Sequence, residues 1–206
     1  HLLLLVDGAG GGGDVGLAGA ELLEAAARAG GADRDLHVRV LLVEPLDQLV
    51  EGRTEFAILS DVPEHDRQKW SLQVKELFRE PLLLAAPAKH PLALRKAPPT
   101  PADLNAAELI HLKGGHCLSD RTLRLCKIRE PDPGLQCDQL GTALSMVASG
   151  LGVTVVPKLA TRNRAMDGIV LRSFSGKGMY RVIALMKRRG SKDTPAAAEL
   201  LKQLSP

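Results

Sequence analysis

Aromatic side chains are scarce: one Trp, one Tyr and three Phe among 206 residues, 2% in all. A core must therefore be built from Leu, Val and Ala. There is no series of aromatics interleaved with basic residues to stack on nucleotides. Lys and Arg outnumber Asp and Glu only slightly, 27 to 24, and lie scattered. With no recognition helix in view, the chain alone is not expected to read DNA. No stretch approaches the roughly 18 apolar residues of a membrane span. The opening run Leu2–Val6 is too short for a secretory leader and lacks a basic flank. Three cysteines, an odd number, argue against a structural disulfide framework and fit a reducing, cytoplasmic setting. The close Cys-x2–4-Cys spacing of structural zinc is missing, so His111, His116, Cys117, Cys126 and Cys137 are not expected to hold a metal. No Ser-His-Asp arrangement is legible, and no enzymatic activity is expected. The sequence opens on His1 without an initiator Met, which leads to the expectation of a fragment of a longer protein.

What is present is an ordinary globular balance, 45% hydrophobic and 25% charged. Leu2–Val6 reads as a buried strand, followed by the glycine run Gly8–Gly13 and a helix over Val15–Arg28. Leu36–Val43 is a second strand, Pro45–Glu51 a short helix stopped at Gly52, and Phe56–Leu59 a third strand. This β-α-β-α-β order predicts right-handed crossovers and a parallel sheet. Val62–Trp70 reads as a charged loop, and Leu72–Leu77 and Pro81–Ala86 as two extended segments. Five prolines between Pro87 and Pro101 predict a loop, with a short helix over Pro101–Asn105. Leu109–Leu112 and Leu135–Asp138 are predicted strands. Gln139–Ser149 is a helix closed by Gly150, and Val153–Val156 the strand after it. Ile169–Phe174 and Arg181–Met186 are extended, and Pro195–Leu204 is a closing amphipathic helix.

The stretch richest in chemistry is Gly114-Gly115-His116-Cys117-Leu118-Ser119-Asp120-Arg121, with Cys126 nine positions after Cys117. Ser119 is a candidate N-cap, Asp120 favours the positive end of the helix dipole, and Leu118 and Leu123 match a hydrophobic staple. Cys117 then lies just before a helix N-terminus, beside His116 and near Arg121, where a thiol pKa falls. A thiolate attacks peroxides to give a sulfenic acid, which a second thiol converts to a disulfide. An intact helix holds the two cysteines roughly 13 Å apart, beyond the ~7 Å that a disulfide tolerates. Oxidation would have to refold the segment. The alternative reading is that both cysteines are simply small buried hydrophobes, and for Cys137 that is the reading preferred here.

Gly8-Ala9-Gly10-Gly11-Gly12-Gly13 formally matches the dinucleotide pattern, with Glu44 placed as a ribose acid. A run of five glycines satisfies that pattern by chance, so no cofactor is expected.

Gly114-Gly115-His116-Cys117-Leu118-x-Asp120 with Cys126 resembles the sensing loop of the peroxide-responsive regulators of the LysR family of transcription factors. The run Leu140–Pro157 is similar to the effector domain of that family. The resemblance implies an α/β fold of two Rossmann-like subdomains joined by two crossover strands, like periplasmic binding proteins. The first would comprise 1–82 plus 185–206, and the second, 83–184, would carry the redox cysteines. Hinges would fall near Leu83–Ala86 and Ala184–Lys187. The implied redox-active residues are Cys117 and Cys126, supported by His116, Asp120, Thr142 and Arg188. Two positions differ from the family pattern: Asp7-Gly8-Ala9 stands where a threonine is usual, and Ser119 where an arginine is. The implied partners are hydrogen peroxide or a small effector, a second copy of the chain (a tetramer in the full-length protein), and DNA through a helix-turn-helix domain absent from this chain. The alternative is an effector domain that holds a small anionic metabolite between its subdomains.

Overall fold

The computed structural model describes residues 2–3, 38–39, 45–60, 62, 64–113, 117–161, 166–176, 178–193, 195 and 198. The glycine run, the helix expected over Val15–Arg28, Glu44, His116 and most of Pro195–Leu204 lie outside the described residues. The chain divides into two compact units, exchanging at Arg79/Glu80 and again at Arg181/Val182.

The first unit begins with a parallel pair, β1 (Leu2–Leu3) and β2 (Val38–Arg39). Helix α1 (Pro45–Val50) starts on proline, whose missing N–H is not needed in a first turn, and the chain turns away at Gly52 with φ +78°. Strand β3 (Phe56–Ser60) pairs antiparallel with β9 (Tyr180–Arg188), from Phe56 opposite Lys187 to Ser60 opposite Ile183. β1 and β2 are thus parallel, as the β-α-β-α-β order predicts, while β3 takes an antiparallel partner from outside that run. The third strand finds its partner in the C-terminal part of the chain, which local order does not reveal. Leu49, Ala57, Val62, Leu72, Ala184 and Met186 form the buried core of this unit.

Glu64–Lys69 is a helix, α2, and not the expected loop. It buries no residue, so it has no apolar stripe to read. Its charges follow the helix dipole, with Glu64 and Asp66 in the first turn and Arg67 and Lys69 in the last. The two extended segments expected around Pro81 are one strand, β4 (Leu72–Pro87). Proline is compatible with extended backbone wherever its N–H is not required. The N-terminal part of β4 is mostly exposed, whereas Leu82–Ala86 is wholly buried.

The second unit, Glu80–Arg181, is built on that buried half. There β4 is antiparallel to β7 (Thr154–Pro157) and to β8 (Ile169–Ser173), with Leu83 opposite Val156 in one pairing and Ser173 in the other. Strands β5 (His111–Leu112) and β6 (Gln136–Cys137) pair in parallel. Helix α3 is the short Pro91–Leu94, α4 is Cys117–Cys126 and α5 is Leu140–Ala148. Pro101–Asp103 is a single 3₁₀ turn and not a helix through Asn105. Leu82, Leu84, Leu109, Ile110, Ala143, Val147, Val153 and Val155 form an aliphatic core, as the lack of aromatics requires. Gly152 lets two segments touch, since a Cβ there would stand 2.3 Å from the Glu108 carbonyl oxygen.

Two arginines organise the proline-rich loop. Arg172 Nη1 donates to the carbonyls of Ala93 and Arg95 at 2.8 and 2.6 Å, and Nη2 reaches that of Ala97 at 3.1 Å. Arg95 grips Asp103 through two bonds of 2.9 and 2.7 Å, and Asp103 also accepts from the backbone and hydroxyl of Thr100. The Asp103 carboxyl is held well below the usual carboxylate range, first by Arg95 and then by Thr100. At the margin of the unit, Arg181 Nε donates to Glu80 Oε2 at 2.7 Å, with both side chains almost wholly buried. Glu80 Oε1 accepts from the Leu159 N–H at 2.8 Å.

Candidate functional site

The site is built around α4. The helix begins at Cys117, three residues before Asp120, where a Ser119 cap would start it. Ser119 is buried, and its hydroxyl donates to the Leu112 carbonyl at 2.8 Å instead of capping the helix. The strand end offers this hydroxyl a buried acceptor, so the serine ties the first turn of α4 to β5. Leu118 and Leu123 consequently both sit inside the helix and pack on the aliphatic core, which removes the expected staple. Asp120 is exposed in the first turn, as the helix dipole favours.

Arg121 is engaged with its own unit. Its Nε donates to the Tyr180 carbonyl at 2.6 Å and its guanidinium lies 5.5 Å from the centre of the Tyr180 ring. Thr122 is 4% exposed, and its hydroxyl has no hydrogen-bond partner. Cys126 closes the helix as a buried free thiol, and burial pushes its pKa up to about 11. It is therefore protonated at neutral pH. Lys127 follows in the left-handed conformation at φ +56° and the Ile128 N–H bonds back to the Leu123 carbonyl at 2.9 Å, ending the helix.

With α4 intact, nine steps of about 1.5 Å separate the Cys117 and Cys126 backbones by roughly 13 Å. Bridging them requires the helix to open. Cys137 is a buried free thiol in the same aliphatic core, with Sγ directed to the carbonyls of His111 and Gln139 at 3.8 and 3.6 Å. Its pKa is also raised, chiefly by burial. His111 is buried with Nδ1 3.4 Å from the Leu109 carbonyl oxygen.

The remaining expected site residues are dispersed. Thr142 is exposed on α5. Arg188 belongs to the first unit, where Nη1 donates to the carbonyls of Leu49 and Thr54 and so braces the turn after α1. Sequence reasoning missed Thr122 and the Glu80–Arg181 pair. A buried orphan leaves no pattern in sequence, and the pair is 101 positions apart. Among the described residues, no three His, Cys, Asp or Glu side chains are grouped to hold a metal. No described helix is long and apolar enough to cross a membrane.

The model of the LysR substrate binding domain family matches residues 21–205. The DNA-binding transcriptional dual regulator OxyR of Escherichia coli K12 is 36% identical over 149 residues, 71% of this chain and 47% of that protein. The hydrogen peroxide-inducible genes activator of Dickeya chrysanthemi is 35% identical over 149 residues, again 71% of this chain and 47% of that protein. The chain thus spans about half the length of the curated relatives it matches. Among solved structures, the reduced form of the OxyR regulatory domain from Pseudomonas aeruginosa superposes with a TM-score of 0.72 at 26% identity, covering 98% of this chain and 92% of that one.

Proposed function

This chain belongs to the LysR substrate binding domain family, and from that premise we propose that it is the hydrogen-peroxide-sensing regulatory domain of a LysR-type transcription factor. The observation that carries the reading is α4, a single helix with a cysteine at each end and the second thiol buried. The relatives' description as hydrogen peroxide-inducible activators supports it.

In this reading the Cys117 thiolate attacks one oxygen of hydrogen peroxide. The S–O bond forms, the O–O bond breaks, and hydroxide leaves and takes up a proton. Cys117 is now a sulfenic acid. The Cys126 thiol then attacks that sulfur, the S–S bond forms, and water leaves. Two electrons pass from the two thiols to the peroxide. Because α4 holds the thiols too far apart, the second step opens the helix. The Glu80–Arg181 unit changes shape, and a dimer of the chain passes the change to DNA-binding domains carried elsewhere in the protein. His116 assists ionisation at Cys117, Asp120 supports the sensing loop from the first turn of α4, and Thr142 lines the approach. Arg188 contributes by bracing the first unit. We assign 1–82 with 185–206 to the first subdomain and 83–184 to the second, and place the protein in the cytoplasm.

The test is peptide mapping of the non-reduced protein after stoichiometric hydrogen peroxide, beside Cys117→Ser and Cys126→Ser. The expected product is a Cys117–Cys126 disulfide, absent from both variants. Unmodified thiols throughout would overturn the proposal.

A further inference from the structure

Resting on that redox reading, the geometry points to a helix built to open: α4 carries two local penalties, the orphan hydroxyl of Thr122 and the left-handed backbone of Lys127, and these set how readily the disulfide forms. The buried face of α4 carries polar side chains. Among the described side chains of α4, Leu118, Ser119, Thr122 and Cys126 are buried, so hydroxyls and a thiol occupy positions that usually belong to aliphatic side chains.

Ser119 meets a carbonyl, but Thr122 does not. A hydroxyl removed from water without a partner weakens the folded form by its uncompensated desolvation. Opening the helix returns that hydroxyl to water and relieves the penalty. At the other end, the residue after the helix is left-handed at φ +56° but is lysine where glycine is the usual choice. A side chain crowds the following carbonyl in that conformation, and opening relieves this strain as well. Both penalties lie between, or directly beside, the two cysteines that must meet. Thr122 lies one helical turn before Cys126 and Lys127 directly follows it, so the penalties act on the second step, in which Cys126 must leave its place. Thr122 and Lys127 are therefore positioning residues for closure of the disulfide.

The test uses the full chain. Val has the shape and β-branching of Thr and a similar helix propensity, so Thr122→Val exchanges the hydroxyl for a methyl of the same shape. Hydrogen exchange of α4 amides in the reduced protein reads the opening equilibrium. Quenched-flow trapping after hydrogen peroxide separates sulfenic acid formation at Cys117 from its conversion to the disulfide. Thr122→Val is expected to raise protection of α4 by about tenfold and to slow conversion by a similar factor. Lys127→Gly is expected to act in the same direction by a few-fold, and Thr122→Ser, which keeps the hydroxyl and loses a buried methyl, to show protection no higher than the wild type. The rate of sulfenic acid formation should stay constant across the series. Unchanged or reduced α4 protection in Thr122→Val, or an equal gain in Thr122→Ser, would overturn the inference. If Cys117 resists peroxide in every protein, the sensing reading fails, while the exchange comparison still decides whether the two penalties loosen α4.

Discussion

The Glu80–Arg181 pair is a buried ion pair of the second unit, and breaking it is a severe perturbation. Its side chains are 1% and 4% exposed, and the N–O separation is 2.7 Å. The carboxylate serves two donors, Arg181 Nε and the Leu159 N–H. Glu80→Ala deletes both acceptors at once and leaves the guanidinium in a dry site. Breaking a buried ion pair by removing one member costs about 3–5 kcal/mol. In a chain of this size, each kcal/mol moves the melting temperature by about 2–4 °C, so a drop of roughly 6–20 °C is expected. Urea titration followed by far-UV circular dichroism should show a lower midpoint for Glu80→Ala. Glu80→Gln, which keeps an acceptor for Leu159, should fall between it and the wild type. The double variant Glu80→Leu/Arg181→Met should recover part of the loss, because it removes the buried charge and its desolvation together. The Leu159 N–H still lacks its acceptor there, which leaves about 1–3 kcal/mol unrecovered. A Glu80→Ala protein within about 1 kcal/mol of wild type would refute the assignment of this pair as a fully desolvated anchor.

Three further outcomes follow from the geometry. The Asp103 carboxyl is depressed in the folded protein, so its stabilisation is present above the unfolded carboxylate pKa near 4 and is lost as pH falls toward the folded value. Asp103→Asn should therefore lower the denaturation midpoint at pH 7 and flatten the acid limb of the stability profile; an acid limb identical to wild type would contradict this. The Cys126 thiol, with its pKa pushed up to about 11, and the buried Cys137 should alkylate with iodoacetamide far more slowly in the native reduced protein than in urea. Mass spectrometry of timed samples reads this directly, and equal rates would show that both thiols are open to solvent. Gly152→Ala forces a Cβ against the Glu108 carbonyl and should destabilise by about 1–3 kcal/mol, measured by thermal melting; an unchanged midpoint would mean that the two segments separate freely.

Local pattern and composition carry part of this result. The lack of aromatics required an aliphatic core, and Leu82, Leu84, Ile110 and Val155 supply one. The run Leu140–Pro157 set a helix, a turn at Gly150 and a strand close to where they lie, because apolar periodicity and a left-handed glycine are short-range signals. The α/β class and the LysR family were legible from the same runs, and the family match bears them out. The remainder came from long-range packing. It turned Ser119 from a cap into a strut, because a buried carbonyl at Leu112 was a better partner than its own helix. It fused two segments into β4, since Pro81 interrupts a helix but not an extended chain. It folded the charged stretch Glu64–Lys69 into a helix with no apolar face to betray it. It matched β3 antiparallel to β9 and joined Glu80 to Arg181 across 101 positions. Pairings of that range depend on which groups are dehydrated together, and no window of sequence contains both members.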